Sequence, residues 1–187
     1  MCKTATAATY LLLVLFILLF SGCLISETTE YTLILNDDGK SGKVTVIMRN
    51  VQSDEADPTK QEKDFKELIK NWKSDRYLVE QLDKGLYVKE RKLYLERGKL
   101  IWKETSLFAD VQKLIPEHSA SDSMKISLGD TAGLLITTNG KIIADDDSSV
   151  IIWQPGEKVF EFKARVRNFQ SASKFAERFR RHLKGQK

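Results

Sequence analysis

Histidine and cysteine are nearly missing from this chain: two of each stand in 187 residues. Two thiols build neither a disulfide framework nor a four-thiolate zinc site. His118 and His182 lie far apart, with no His-x-x-x-His or Glu-x-x-His spacing, so no metal ligand set and no cofactor is expected. Proline stops at three residues and glycine at ten, too few for a collagen-like repeat or a Pro/Gly-rich linker. No Gly-x-Ser-x-Gly elbow and no repeat of fixed period occurs. A net charge of +4 is too mild to imply nucleic acid as a partner. What remains, 42% apolar and 30% charged residues, is the composition of a packed globular chain and argues against wholesale disorder.

The sharpest positive signal is at the amino end. Lys3 is the only charge before Glu27, and an unbroken apolar run covers residues 10–20. A short positive region, an apolar stretch of about 7–15 residues and then small residues is the layout of a secretory signal peptide. An uncleaved membrane helix is the other reading, because residues 4–26 carry no charge and are long enough to cross a bilayer.

The order Phe20-Ser21-Gly22-Cys23 resembles the lipobox of bacterial lipoproteins. That resemblance implies diacylation of the Cys23 thiol and cleavage between Gly22 and Cys23. It divides the chain into a signal peptide at 1–22, a lipidated tether at 23–30 and one ectodomain at 31–187. Acyl chains contribute about 0.8 kcal/mol per buried methylene, so two or three of them hold a protein on a bilayer. Leu24, rather than Asp, follows the cysteine, which in diderm bacteria implies the outer membrane. Localisation in the cell envelope, facing the periplasm or the exterior, is expected.

The rest reads as α+β: a single domain, mainly antiparallel sheet, with one central helix and a C-terminal amphipathic helix packed on it. Runs 31–36 and 43–49 are β-rich, and the loop between them holds Gly39 and Gly42, both able to take positive φ. Asp57-Pro58 opens a helix whose Phe65, Leu68, Ile69 and Trp72 form one stripe. A second, shorter helix over 75–82 is ambiguous. Strands are expected at 86–96 and 99–104 around a turn at Arg97-Gly98, and a helical turn near 108–115. Five further runs follow, at 124–128, 133–138, 141–144, 149–154 and 158–166, with Asn139-Gly140 as a hairpin turn. In the last run Phe160, Phe162, Ala164 and Val166 alternate with Val159, Glu161, Lys163 and Arg165, so one face is buried and one wet. A helix near 171–183 closes the chain.

Candidate chemistry is thin. Gly39-Lys40-Ser41 lacks the first glycine of a phosphate loop and is followed by a strand pattern, so it reads as a hairpin tip. Asp145-Asp146-Asp147-Ser148 lacks calcium-loop spacing and reads as an acidic turn; Asp37 and Asp38 also fall in a turn. Residues 158–187 carry a net charge of +8 against −5 for residues 23–157. Lys174, Arg178, Arg181 and Lys184 are therefore candidate contacts to an anionic surface, the plainer reading being a docked helix with solvated cations. Trp72, Trp102, Trp153, Phe160 and Phe162 either pack a core or line a lipid cavity of roughly 300 Å³ or more.

Two stretches together resemble the LppM-type envelope lipoprotein domain. Cys23 is followed by a strand, an acidic Gly-containing turn and a strand over 32–46, and Thr138-Asn139-Gly140-Lys141 precedes Val150-Ile151-Ile152-Trp153 and Gly156. The resemblance implies an α+β ectodomain with lipid contact. The function expected is that of a lipid-anchored, non-catalytic envelope protein, its partners the membrane through Cys23 and an envelope protein or lipid ligand. A carrier or sensor of hydrophobic ligands is the alternative, and an envelope hydrolase the second.

Overall fold

The computed structural model describes residues 24–115, 123–128, 134–145, 148–166, 169–170 and 174–185. The first half runs β1 (Leu24–Ile25), β2 (Thr28–Leu35), β3 (Gly42–Arg49), β4 (Gln52–Ser53), α1 (Pro58–Lys73) and α2 (Asp75–Asp83). Next come β5 (Leu86–Glu96), β6 (Lys99–Phe108), α3 (Val111–Leu114), β7 (Met124–Leu128) and β8 (Leu134–Thr138). The described chain ends with β9 (Lys141–Asp145), β10 (Ser148–Trp153), β11 (Val159–Arg165) and α4 (Phe175–Lys184). The architecture is α+β with antiparallel sheets.

Six strands form the main sheet, in the order β5-β6-β3-β2-β11-β8. Alternation decides which side chains share a face. The register sets Leu33 beside Val44 and Phe160, Tyr31 beside Val46 and Phe162, and Met48 beside Trp102, so one face is apolar. The opposite face is polar, with Thr45 beside Thr105 and Glu30 held by both Arg49 and Lys163 at 2.8 Å. Between β5 and β6, Arg97 and Gly98 both have positive φ, 49° and 77°, and Glu96 pairs with Lys99. That is a two-residue type I′ turn, whose twist matches the strands it joins.

Two covers share the apolar face. At one end lie α1, α2 and α4. Asp57 caps α1 by accepting from the Thr59 amide at 2.7 Å, and Pro58 starts it. Ser74 ends α1 and caps α2. Phe65, Leu68, Tyr77, Phe175 and Phe179 pack there with Met48, Leu100 and Trp102 of the sheet. At the other end, α3 and a three-stranded sheet, β7-β10-β9, bury Leu114, Ile126, Ile151 and Trp153 against Leu33, Phe108 and Phe160.

Several expectations change. Two helices, α1 and α2, stand where one central helix is expected, because the N-cap at Ser74 restarts the helix after a single extended residue. The described part of the tether is folded: Leu24 and Ile25 pair with Ser53 and Gln52, and residues 28–30 belong to β2. Gly42 is the first residue of β3 without positive φ; only Gly39, at 64°, turns the loop.

Asn139-Gly140 is not a hairpin turn. β8 pairs with β11 and β9 with β10, so this dipeptide carries the chain from one sheet to the other. Asn139 Oδ1 accepts from Trp153 Nε1 at 2.6 Å and from the Glu161 amide at 2.9 Å, while its Nδ2 donates to the Val159 carbonyl at 2.9 Å. A Cβ on Gly140 would lie 2.6 Å from Ile151 Cγ2 and 2.8 Å from Trp153 Cε2, so glycine is needed for close approach.

Candidate functional site

A cavity of about 90 Å³ lies between the two covers, on the apolar face of the main sheet. Leu33, Val44, Val46, Leu86, Phe160 and Phe162 of the sheet line it, with Leu114 and Ile115 at α3 and Met124 and Ile126 of β7. Tyr31, Gln81, Glu104 and Ser106 are the residues of its lining that carry polar side-chain groups. The volume is below the roughly 300 Å³ of drug-sized sites, and below the roughly 150 Å³ that accepts a benzene ring.

Strand periodicity brings the carboxylate there. Leu100, Trp102, Glu104, Ser106 and Phe108 alternate along β6, all buried, so Glu104 stands inward with its apolar neighbours. Its Cα partners are Val46 on β3 and Arg91 on β5, past a bulge at Val88/Glu90. Helix α2 completes the site, since Tyr77 and Gln81 are one turn apart and both are buried. The Tyr77 hydroxyl donates to Glu104 Oε2 at 2.6 Å, and Ser106 Oγ donates to Glu104 Oε1 at 3.4 Å. Gln81 is 1% exposed, and neither its Oε1 nor its Nε2 has a hydrogen-bond partner among the described residues.

Arg91 braces this corner. Its guanidinium carbon lies 5.6 Å from the Trp72 ring centre and 5.2 Å from that of Tyr77. It donates to the carbonyls of Asn71 and Ser74 at 3.4 and 3.3 Å, a cation at the carbonyl end of α1.

Burial pushes the Glu104 carboxyl above the usual carboxylate range, partly offset by the hydrogen bonds from Tyr77 and Ser106 and the charges of Arg91 and Lys84. Burial and the neighbouring Glu104 drive the Tyr77 phenol far upward, so it stays a donor. The linkage sign follows. Between the ordinary carboxylate pKa and the raised folded value, the unfolded chain ionises while the folded carboxyl stays protonated, so this group's contribution to stability falls as pH rises and then levels off. Glu104→Gln keeps an acceptor for Tyr77 and cannot ionise. Urea titrations at a series of pH values are expected to show the variant gaining on wild type across that window; parallel curves would refute it.

The residues singled out from sequence are not gathered at this cavity, apart from Phe160 and Phe162. Trp72 and Trp102 pack at the helical cover, and Trp153 belongs to the small sheet and packs in the cluster beneath it. Gly22 and Cys23 lie outside the described residues, as do His118, Asp146 and Asp147. Lys174, Arg181 and Lys184 are exposed on or next to α4. Arg178 is withdrawn from that surface: its side chain is 13% exposed and its Nη1 lies 2.9 Å from Glu62 Oε2, an ion pair too bent for a hydrogen bond. The α4 stripe of Phe175 and Phe179 rolls it toward α1, where Phe65 meets Phe175 edge-on at 5.4 Å. Tyr77, Gln81, Arg91, Glu104 and Ser106 were not anticipated, although an acidic residue at an inward position of an alternating strand was the available signal.

Among the described residues no group of three or more His, Cys, Asp or Glu side chains is placed to hold a metal ion. No described helix is long and apolar enough to cross a membrane. No protein-family model, curated protein or solved structure matches the chain.

Proposed function

We propose that this chain is a lipid-anchored lipoprotein of the bacterial cell envelope whose ectodomain binds the apolar part of an amphiphile without catalysing a reaction. One observation carries the binding role: an apolar cavity whose lining includes a few buried polar residues, the usual composition of a small-molecule site. The lipobox residues Phe20-Ser21-Gly22-Cys23 support the anchor. Leu24, the first described residue, packs on the apolar cluster that contains Phe175 and Phe179 of α4, which supports a cationic helix close to an anchor at Cys23. Lys174, Arg181 and Lys184 are then the contacts to anionic headgroups in this reading.

Metabolic labelling with an alkyne fatty acid is expected to mark wild type and leave Cys23→Ala unmarked; equal labelling removes the anchor. For the binding role, a diazirine-bearing alkane added to membranes holding the full chain is expected to label the cavity lining, and Val44→Phe, which fills the cavity from β3, to abolish that labelling. Undiminished labelling in that variant counts against the role. A hydrolase is the second reading, favoured by the desolvated Glu104 carboxyl in the cavity. It requires ester turnover lost in Glu104→Gln.

A further inference from the structure

The buried amide of Gln81 bears on what enters the cavity. A glutamine amide offers an acceptor, Oε1, beside a donor nitrogen, Nε2. Gln81 is one of the residues lining an apolar space, and neither amide atom has a partner among the described residues, whereas buried polar side chains in folded proteins are as a rule hydrogen-bonded. Glu104 does not meet the need: its hydrogen bonds are made to Tyr77 and Ser106, and none joins it to Gln81.

We infer that the cavity takes its ligand head-inward, with Gln81 pairing in two hydrogen bonds to a head that presents a donor and an acceptor side by side. A primary carboxamide and an uncharged carboxylic acid share that chemistry. Each answers Oε1 with an N–H or O–H and Nε2 with a carbonyl oxygen, so one ligand group satisfies both atoms. An alkylammonium head, the natural guess beside a carboxyl, carries only donors and would leave Nε2 facing a cation. An ionised carboxylate carries only acceptors, would leave Oε1 unanswered and would meet Glu104. An ester or a tertiary amide accepts but cannot donate. Beside the head, Val44, Leu86, Met124 and Phe160 offer an apolar lining to the first methylenes of a tail.

This inference rests on the binding role proposed above, and the test separates the two. Membranes containing the full chain are photolabelled with a hexanamide bearing a terminal diazirine, and the labelled peptides are mapped by mass spectrometry. Unlabelled hexanamide is expected to compete for the cavity label, and hexanoic acid to compete increasingly as pH is lowered. Hexylamine, methyl hexanoate and N,N-dimethylhexanamide are expected to compete at least about tenfold less well, as for a site whose hydrogen-bonding groups are left unmet. Gln81→Leu is expected to erase the preference while keeping label from the headless alkane probe. Equal competition by all heads, or preference for the amine, overturns the inference and leaves the binding role standing. Absence of cavity label from every probe, the alkane included, overturns both. The competitor series on wild type decides the matter by itself should Gln81→Leu fail to fold.

Discussion

Trp102→Ala is expected to lower the unfolding free energy by about 3–5 kcal/mol, the range for truncating a buried large aromatic residue. Trp102 is 3% exposed and stands on β6 between Met48 of β3 and Leu93 of β5. Its indole meets Trp72 edge-on at 5.2 Å and Tyr77 at 5.9 Å, so one side chain fastens both α1 and α2 to the sheet. Neither helix can follow a deleted ring, because Arg91 is wedged against Trp72 and Tyr77 and ties the end of α1 to β5. A hole therefore remains, and its cost adds to the lost transfer energy. Tyr77 also loses a wall that directs its hydroxyl at Glu104, so cavity labelling by the hexanamide probe is expected to fall in variant protein that is still folded. Equilibrium urea denaturation gives the first number. A loss below about 1 kcal/mol would mean that the helices do not rest on this residue.

Gly42→Ala is the second large effect, expected near the top of the roughly 1–3 kcal/mol range for overpacking. A Cβ at this position would run into the Ile34 carbonyl oxygen and lie 2.7 Å from Phe108 Cζ. The ring can swing, but the carbonyl belongs to β2, which is held by β3 on one side and β11 on the other. Phe108→Leu in the Gly42→Ala background is therefore expected to recover only the part due to the ring. Gly98→Asn is the control. A side chain there meets nothing within 4 Å, and asparagine tolerates φ near 77°, so the change is expected to stay within about 0.5 kcal/mol. Equal denaturation midpoints for Gly42→Ala and Gly98→Asn would refute the steric account.

These two glycines show where local reading succeeds. Gly98 follows Arg97 between two β-rich runs, and a two-residue turn with positive φ is a property of those few residues alone. Gly42 and Gly140 look the same in sequence, next to polar turn residues. Their glycine is required by atoms of Ile34, Phe108, Ile151 and Trp153, which reach them through strand pairing. Asn139-Gly140 misleads for the same reason, because the turn signal says nothing about whether the flanking strands pair with each other.

The candidate site divides in the same way. That Glu104 shares a face with Trp102 and Ser106 was legible from alternation, and that Tyr77 and Gln81 share a face was legible from helical spacing. That these two faces meet was not. It depends on β6 pairing with β5 past a bulge and on the helix break at Ser74 that lays α2 over the strand.

Periodicity along the chain, caps such as Asp57 and the run of residues leading to Cys23 were determined by the sequence itself, because each is settled among neighbours a few bonds apart. Tertiary structure decided that β8 and β9 belong to different sheets, that Arg178 turns inward to Glu62, and that a small space remains beside Gln81. Those outcomes come from register between distant strands and from the volume left when two covers settle on one sheet. Both are sums over many contacts, and no short stretch of residues contains them.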